Sequence, residues 1–331
     1  MLNTNNDVWI TWEIQRRNRS MSLLLGVSLY EMITSRKGFS RYVELVIRTF
    51  CLVARKNPNR VFIQNPSIVL NMFILLLKPV FRFRLIVDEH NAGIYPLEGR
   101  SRLLNFFART IVRFADIVIV TNQSLADVCE EWGGNPVIKP DPLPTLQMSG
   151  SDDGDNKCIA NSESPFTFLF ICSWATDEPY EELIKSASKL DQQDMELRIT
   201  GRFPDRFKCG VAKNVKLLGF LTEEDYVREL FTCSAVIVLT NRENCLNCGA
   251  YEAVSAGKPG VLSDKEILRS YFHQGFIFTT NNSVDIARAV YDVKDQADAL
   301  QRKVQVLRHE LLVKDRATAE NLSTAISQLQ K

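Results

Sequence analysis

The sequence AVIVLTNRENCLNCGAYEAVSAGKP at residues 235–259 decides the expected fold of this 331-residue chain. Residues 235–240, a short run of mostly β-branched and other apolar side chains, predict a buried strand. A polar loop follows, and residues 248–256 then predict a helix that Gly257 and Pro259 end. A strand, a loop and a helix in this order are typical of a parallel sheet with helices on both faces.

The same alternation of short apolar runs and helical periods extends from this segment in both directions. Residues 61–64 and 117–120 predict buried strands in the first half of the chain, and residues 166–171 and 196–200 predict them in the second half. The composition, with 45% hydrophobic and 24% charged residues, is that of a globular protein with a sizeable core.

A polar segment divides the chain nearly in half. Residues 146–164 are rich in Ser, Asp, Gly and Asn and predict a linker. We therefore expect an α/β fold with two facing Rossmann-like domains and an interdomain cleft. The first domain is predicted at residues 1–145. The second is predicted at residues 165–331 and includes a C-terminal helix.

The net charge of +1 hides an asymmetry between the halves. Residues 1–145 carry 18 basic and 12 acidic side chains, which leaves 22 basic and 27 acidic ones for the remainder. A basic first half favours an anionic partner, such as a membrane surface, a phosphate-bearing acceptor or nucleic acid. Ordinary surface variation is the alternative, and nucleic acid ranks last because only this asymmetry supports it.

The cysteines and the apolar stretches of the sequence indicate in which cellular compartment the protein is expected. Of eight cysteines only Cys245 and Cys248 lie close together, and no second pair completes a zinc site, so a redox role is the alternative for this pair. Scattered thiols and the absence of a signal peptide before the first predicted strand favour the cytoplasm. The longest apolar stretch, residues 68–80, is shorter than the about 20 residues that cross a bilayer and predicts a buried helix.

The loop after the strand at residues 235–240 is the first candidate site, because open parallel sheets bind ligands beyond the carboxyl ends of their strands. The following helix begins near Asn247, Cys248 and Gly249, and its N-terminal N–H groups suit a diphosphate. Gly249 would let a ligand approach the backbone closely, and Glu252 could reach a vicinal diol. A capped surface helix is the alternative.

Arg242 could pair with a phosphate, and Glu243 could accept hydrogen bonds from sugar hydroxyls. Arg242-Glu243, residues 249–253 and Gly-Lys-Pro at residues 257–259 resemble the nucleotide-sugar-binding signature of GT-B glycosyltransferases of the glycosyl transferase group 1 (family 4-like) type. In the common family form the two glutamates stand eight positions apart. Here Glu243 and Glu252 are nine apart, which favours Glu252 as the firmer donor ligand.

The resemblance implies further contacts at other strand ends. Ser173 stands in the turn that meets the donor in the family, and Arg202 stands where the family has a basic residue near the diphosphate. Arg16 and Arg19 follow the first strand, where the family often has a flexible, basic acceptor-binding loop. Solvated arginines are the alternative for these last two residues.

Asp88, Glu89, His90 and Asn91 follow a predicted strand of the first half. Three of these side chains can exchange a proton, so Asp88 or Glu89 is the predicted general base for an acceptor hydroxyl. The resemblance implies that His90 could contact the transferred sugar instead, and Asn91 is assigned to acceptor binding. A hydrogen-bonded loop without catalytic function is the alternative.

A predicted helix at residues 102–114 combines Arg102, Arg109 and Arg113 with aromatic and aliphatic residues, a pattern typical of a membrane-surface element. A core helix with an arginine-rich outer side is equally compatible with it. A lipid-linked acceptor would fit the membrane interpretation, with the protein peripheral at the inner face of the membrane.

The resemblance implies a hexosyltransferase-type enzyme of polysaccharide biosynthesis. It would move a sugar from a UDP- or GDP-type donor to a hydroxyl of a glycan or lipid-linked acceptor. No metal or other cofactor is expected, because no Asp-x-Asp motif follows a predicted strand and residues 152–155 lie in the linker. A nucleotide-sugar epimerase of the same fold and a non-catalytic partner subunit are the alternatives.

Overall fold

The structure is a computed structural model that describes residues 6–65, 67–146, 165–208 and 210–329, without the side chain of Arg16. The chain divides into two compact units. The first contains the described residues up to Asp141 and those from Lys314 onward, and the second is Pro142–Val313. The predicted linker and its acidic run at residues 152–155 lie, except for Leu146, outside the described residues.

The first unit has a parallel sheet flanked by helices. Its strands are β1 (Val8–Thr11), β2 (Ser28–Glu31), β3 (Arg60–Asn65), β4 (Arg84–Glu89), β5 (Ile117–Val120) and β6 (Pro136–Ile138). Its helices are α1 (Arg16–Leu25), α2 (Gly38–Lys56), α3 (Ile68–Phe81), α4 (Asn91–Ile94), α5 (Arg102–Phe114) and α6 (Gln123–Glu131). The strand order is β2-β1-β3-β4-β5-β6, and every described pairing is parallel.

The second unit repeats this architecture. Its strands are β7 (Phe166–Phe170), β8 (Met195–Thr200), β9 (Val215–Gly219), β10 (Ala235–Val238), β11 (Gly260–Ser263) and β12 (Phe276–Thr279). Its helices are α7 (Tyr180–Ala187), α8 (Glu223–Thr232), α9 (Cys248–Ser255), α10 (Glu266–Tyr271) and α11 (Ser283–Asp295). The order β12-β11-β10-β7-β8-β9 is again parallel. The predicted α/β class with two Rossmann-like domains is confirmed.

Strand residues alternate between two cores in each unit, because successive side chains of a strand point to opposite faces of the sheet. In β3, Val61 and Ile63 pack under α2, α3 and α5, whereas Phe62 packs on the opposite face with Trp9 of β1. The two rings stack with their centroids 5.6 Å apart. Burial on both faces explains why these strands are continuous apolar runs in the sequence.

The C-terminal tail differs from the prediction. It is helical as expected, forming α12 (Ala297–Gln328), but its residues from Lys314 onward belong to the first unit. Leu322 and Ile326 are fully buried in the core cluster of Trp9 and Phe62. The prediction placed the whole tail in the second domain, because helical periodicity does not reveal which sheet a helix covers.

Four elements of the first unit also differ from expectation. Residues 16–25 form helix α1 where a flexible loop was expected, with Met21 and Leu25 buried. The edge strands β2 and β6 were not predicted, since both are only partly buried and carry polar residues or proline. Residues 68–80 form a helix as predicted, but α3 buries one side only and leaves Leu76 and Val80 exposed. In the described part of the chain, no helix combines the length and hydropathy needed to cross a bilayer.

Candidate functional site

The carboxyl ends of three neighbouring strands bring together the loops of the predicted donor site in the second unit. Strand β7 lies between β10 and β8. The backbone N–H of Cys172 donates to Thr200 Oγ1 at 3.0 Å, and Trp174 Nε1 donates to the Thr200 carbonyl at 2.9 Å. On the other side, the N–H of Asn241 donates to the Asp177 carbonyl at 2.7 Å. The loops after β7, β8 and β10 therefore form one connected surface.

Helix α9 begins at this surface, directly after the loop that leaves β10. Its cap residue Asn247 makes no side-chain capping hydrogen bond, and Asn247 Oδ1 is buried without a hydrogen-bond partner. Cys248 is exposed at the first position of the helix. The N–H groups of a first helical turn have no acceptors within the helix, so this end offers donors and a partial positive charge to an anion.

Gly249 is fixed by packing. A Cβ atom at this position would lie 3.0 Å from Ile171 Cγ2 and 3.1 Å from Val238 Cγ2. Helix α9 therefore rests directly on the ends of β7 and β10, and a larger residue at this position would have to push these side chains aside. The prediction attributed Gly249 to close approach of a ligand; in the structure its missing side chain makes room for the sheet.

Glu252 lies one turn further along α9 and is half-buried. The hydroxyl of Tyr226 in α8 donates a short hydrogen bond to Glu252 Oε2. Burial and then the charge of Glu252 raise the pKa of Tyr226, so this hydroxyl remains a donor. Tyr226 was not among the predicted site residues. The contact holds one carboxylate oxygen of Glu252 in place and fixes the direction of the other.

Arg242 and Glu243 both pair with side chains of their own unit. An Arg242 Nη2 atom lies 3.3 Å from Asp177 Oδ1, and the guanidinium is 42% exposed. Glu243 is 72% exposed and forms a short ion pair with Lys265. Arg242 contacts the loop after β7 at the predicted site, whereas Glu243 is an exposed surface charge paired with Lys265.

Glu178 fills the loop in which Ser173 was predicted to meet the donor. Its carboxylate accepts hydrogen bonds from the N–H groups of Ser173 at 3.0 Å and Ala175 at 2.8 Å, and from Ser173 Oγ at 3.1 Å. Between them, Trp174 adopts a left-handed φ of 64°, a conformation that costs a non-glycine residue about 1 kcal/mol or more. Sequence reasoning missed Glu178, although it stands in the same loop after β7 as Ser173.

Arg202 follows β8 on an exposed turn. Gly201 before it has a φ of 90°, and a Cβ there would lie 2.2 Å from the Cys172 carbonyl oxygen. The Arg202 guanidinium lies 4.9 Å from the ring centroid of Phe220, which follows β9. This contact holds a positive charge at the carboxyl edge of the sheet, where it was predicted.

The first unit places Asp88 at the carboxyl end of β4 in a buried ion network. Arg17 of α1 donates to both Asp88 oxygens at 2.8 Å and to Asp141 Oδ1 at 2.6 Å. Burial opposes ionisation of Asp88, but Arg17 and His90 outweigh it and hold the pKa of this carboxyl well below its usual range. Asp88 is 0% exposed. The predicted role of general base does not suit this carboxylate, which is inaccessible and already neutralised.

Glu89 is also 0% exposed, with a different partner. Asn65 Nδ2 donates to its Oε1 at 3.1 Å, while Oε2 is buried without a hydrogen-bond partner. A Cβ on Gly93 would lie 2.1 Å from that second oxygen, so a side chain there would displace the carboxylate. Burial, and to a lesser degree the neighbouring charge of Asp88, raise the pKa of Glu89 to about 8. Its burial likewise argues against direct contact with an acceptor.

Glu89→Gln should therefore flatten the pH dependence of stability. A carboxyl whose pKa is raised on folding holds its proton longer in the folded state, so stability falls as pH rises from about 4.5 to about 8. Up to about 5 kcal/mol of unfolding free energy is lost in this way in the wild type, at about 1.4 kcal/mol per pKa unit. Urea unfolding at pH 5 and pH 8 measures the difference. Glu98→Gln, at an exposed position, is the control and should leave the wild-type pH dependence intact.

His90 is the accessible member of the predicted catalytic group. Its side chain is partly exposed, and its Nε2 lies 3.7 Å from Asp88 Oδ2. Asn91 is half-buried at the start of the short helix α4, and its carbonyl accepts the N–H of Tyr95. The structure thus brings Asp88, Glu89, His90 and Asn91 to one strand end, as predicted, but exposes them unequally.

The arginines predicted to bind an acceptor lie on helix α1. Arg19 pairs with Glu31 of β2 on the surface, with two hydrogen bonds of 2.8 Å. The side chain of Arg16 lies outside the description. Arg17, which lies in the same basic run, reaches the carboxyl end of β4 through Asp88. Among the described residues, no group of three His, Cys, Asp or Glu side chains is placed to hold a metal ion.

Comparison with solved structures defines the class of this fold. Sucrose-phosphate synthase from Thermosynechococcus elongatus aligns with a TM-score of 0.74 at 12% identity, covering 97% of this chain and 98% of that one. HepE from Anabaena in complex with UDP-glucose aligns with a TM-score of 0.71 at 14% identity, covering 96% and 99%. A Listeria monocytogenes protein assigned as a UDP-N-acetylglucosamine 2-epimerase aligns at 0.66 and 13%, covering 97% and 95%. The chain has the GT-B fold.

A family match covers most of the second unit. A profile of the family Glycosyl transferases group 1 matches residues 165–296. This match, together with the shared fold, confirms the resemblance to the family found at residues 235–259. Family and fold together support a transferase of the GT-B type. No curated protein sequence matches the chain.

Proposed function

We propose that this protein transfers a sugar from a UDP-sugar to a hydroxyl group of a glycan or lipid-linked acceptor. The observation that carries the proposal is the start of helix α9. An unpartnered Asn247 Oδ1, the first-turn N–H groups and Glu252 meet there at the carboxyl edge of a glycosyl transferase group 1 domain. HepE, which shares the fold, is known in complex with UDP-glucose.

The donor is proposed to bind with its diphosphate at the N-terminus of α9 and its ribose at Glu252. Charged acceptor groups bind a vicinal diol through two hydrogen bonds, and Tyr226 holds Glu252 ready for this. Arg242 would exchange its partner Asp177 for a phosphate oxygen. Arg202, on the neighbouring turn, supplies a second positive charge.

Transfer requires an acceptor oxygen to bond to the anomeric carbon while the bond from that carbon to the diphosphate breaks. The negative charge that develops on the leaving nucleotide would be stabilised by the N–H groups of α9 and by Arg242 or Arg202. The proposal keeps the expectation from the sequence that no metal or other cofactor takes part. The acceptor proton must pass to a base, and His90 is the candidate because Asp88 and Glu89 are inaccessible.

Asp88 is proposed to orient the ring of His90 from its buried side. The Asp88 carboxylate lies 3.7 Å from His90 Nε2, a buried atom, and so orients the ring with Nδ1 as the nitrogen that would accept the proton of the acceptor. This assignment narrows the predicted catalytic group to one side chain that contacts substrate and one that positions it. We also propose that the protein is located in the cytoplasm, at the inner face of the membrane.

Epimerisation of a free nucleotide-sugar is the second candidate, because the Listeria protein shares the fold. The match of residues 165–296 to a glycosyl transferase family favours transfer. The two reactions differ in one requirement, since an epimerase converts the nucleotide-sugar without any acceptor.

Thermal unfolding in the presence of UDP, GDP and UDP-glucose tests the donor site. A ligand that binds only the folded state stabilises it by about 2.7 kcal/mol at a concentration of 100 Kd, so we expect UDP and UDP-glucose to raise Tm by several degrees. GDP should have a smaller effect. If no nucleotide in this set, nor any other nucleotide-sugar, raises Tm, the donor site is wrong. Conversion of UDP-glucose without an acceptor would favour the epimerase.

A further inference from the structure

Three helices of the first unit expose an unusual surface on one face of the sheet. Helix α3 contacts both α2 and α5, and all three pack through the same core cluster on that face. We call their outward surface the three-helix face. It lies opposite α1, whose buried residues belong to the other core cluster.

Helix α3 is apolar on its outer side as well as on its buried side. Its sequence IVLNMFILLLKPVF contains only two polar residues, the buried Asn71 and Lys78. Leu76 and Val80 point outward and are 68% and 70% exposed. A surface helix of a globular protein normally has a polar outer side that contacts water. Helix α3 has no such polar side.

The flanking helices extend the apolar surface. Helix α2 exposes Phe39, Ile47 and Phe50, and α5 exposes Phe106 and Phe114. The Phe50 ring lies 6.0 Å from the ring of Phe81 at the end of α3, which makes the α2 and α3 surfaces continuous. Large contiguous apolar patches of this kind mark interaction sites.

The charges of the same helices are almost all positive. They carry eight basic side chains and a single carboxylate, Glu44, within the helix bounds. The basic residues are Arg41, Arg48, Arg55, Lys56, Lys78, Arg102, Arg109 and Arg113. Lys78 is neutralised by Asp116 and Arg48 by Glu44, whereas the others at the helix ends are exposed or half-buried.

One edge of the face carries a row of basic side chains. All three helices connect parallel strands in the same direction along the sheet, so their C-terminal ends lie together. Arg55 and Lys56 end α2, Arg82 follows α3, and Arg113 lies in the last turn of α5. An apolar centre is thus bordered by a row of positive charge.

We propose that the three-helix face docks on a bilayer containing anionic phospholipid. Leu76, Val80 and the exposed phenylalanines would enter the boundary between headgroups and acyl chains, while the arginines and lysines contact lipid phosphates. A protein partner of the same size would have to supply many carboxylates around an apolar ridge. The lipid surface provides both features at once, without a specific sequence.

This surface does not depend on the donor site. It bears on the proposed function by bringing a lipid-linked acceptor to the first unit, but vesicle binding is measured without donor or acceptor. Failure of one proposal therefore leaves the other standing.

Co-sedimentation of the full chain with vesicles tests the proposal. Vesicles of phosphatidylglycerol mixed with phosphatidylcholine should bind the protein, and pure phosphatidylcholine should bind it at least tenfold more weakly. Each basic residue near an anionic surface contributes about a fivefold increase in binding. Binding should weaken as salt concentration rises. Equal binding to both kinds of vesicle, or none to either, overturns the proposal.

Two variants locate the binding surface. Leu76→Glu/Val80→Glu should reduce sedimentation with phosphatidylglycerol vesicles at least tenfold, and Arg55→Gln/Lys56→Gln should reduce it at low salt without affecting the fold. Leu23→Glu, an exposed apolar position on α1, is the matched control and should bind as the wild type does. Should the apolar variant fail to fold, the charge variant decides. If either variant instead converts a dimer to a monomer while vesicle binding persists, the face is a self-interface.

Discussion

Replacement of Arg17 by methionine is expected to cost about 3–5 kcal/mol in the free energy of unfolding. The reason is the buried Asp88 carboxylate, which would lose both of its 2.8 Å hydrogen bonds and its counter-charge. Methionine retains most of the volume of the arginine stem, so the loss reports the charge more than the packing. Urea unfolding at pH 7 measures it.

The loss of unfolding free energy in Arg17→Met should depend on pH. In the wild type the pKa of Asp88 is depressed, so its stabilising contribution is present above the ordinary pKa of an aspartate and is lost as pH falls below it. Without Arg17 the buried carboxyl would instead retain its proton, and the variant would lose stability as pH rises above about 4. The two proteins should thus diverge between pH 4 and pH 8.

Arg19→Met is the matched control on the same helix. Arg19 forms an equally short pair with Glu31, but at the surface, where water screens the charges. We expect a much smaller loss with little pH dependence. Arg17→Met/Asp88→Asn should recover part of the stability because it removes the stranded charge. Equal losses from Arg17→Met and Arg19→Met would show that the buried network does not stabilise the first unit.

Glu252→Gln is expected to weaken the binding of UDP about ten- to hundredfold. Hydrogen bonds to a charged group contribute about 1.5–3 kcal/mol each, and an amide offers only one acceptor atom where the carboxylate offers two. The amide oxygen can still accept from Tyr226, so the packing of α8 against α9 should be retained. Titration calorimetry with UDP measures the affinity, and the unfolding midpoint without ligand reports the fold.

Two companion variants separate the roles around Glu252. Glu243→Gln should bind UDP nearly as the wild type does, because Glu243 is a surface charge paired with Lys265. Tyr226→Phe should have an intermediate effect, since it frees the orientation of Glu252 while leaving its charge in place. If Glu243→Gln weakens UDP binding more than Glu252→Gln does, the order of the two glutamates inferred from their spacing is wrong.

Much of the second unit could be predicted from local sequence. The strand at Ala235–Val238 and the helix at Cys248–Ser255 follow from an apolar run, a polar loop and a terminating glycine, all of which act within a few residues. The edge of the sheet at which Glu252 and Arg242 lie then follows from the strand-end rule. Gly249 shows the limit of such reasoning, because a close approach is predictable there but its partner is not.

Contacts between distant residues account for what the sequence did not reveal. Tyr226 and Glu252 meet because two helices pack side by side, and nothing in either helix indicates the pairing. The burial of Asp88 and Glu89 depends on how α1 and Gly93 cover the end of β4. The sequence pattern of acidic side chains after a strand is the same whether these side chains are open to substrate or buried, so it does not distinguish the two cases.

Helix α12 sets the order in which the chain can complete its fold during synthesis. Trp9 belongs to one of the first strands to leave the ribosome, yet Leu322, which shares its core cluster, emerges about 300 residues later. At roughly 5–20 residues per second, the nascent first sheet waits about 15–60 seconds for its cover. The first unit, most of which is synthesised first, is therefore completed last. Until then its apolar sheet face is a binding surface for a chaperone.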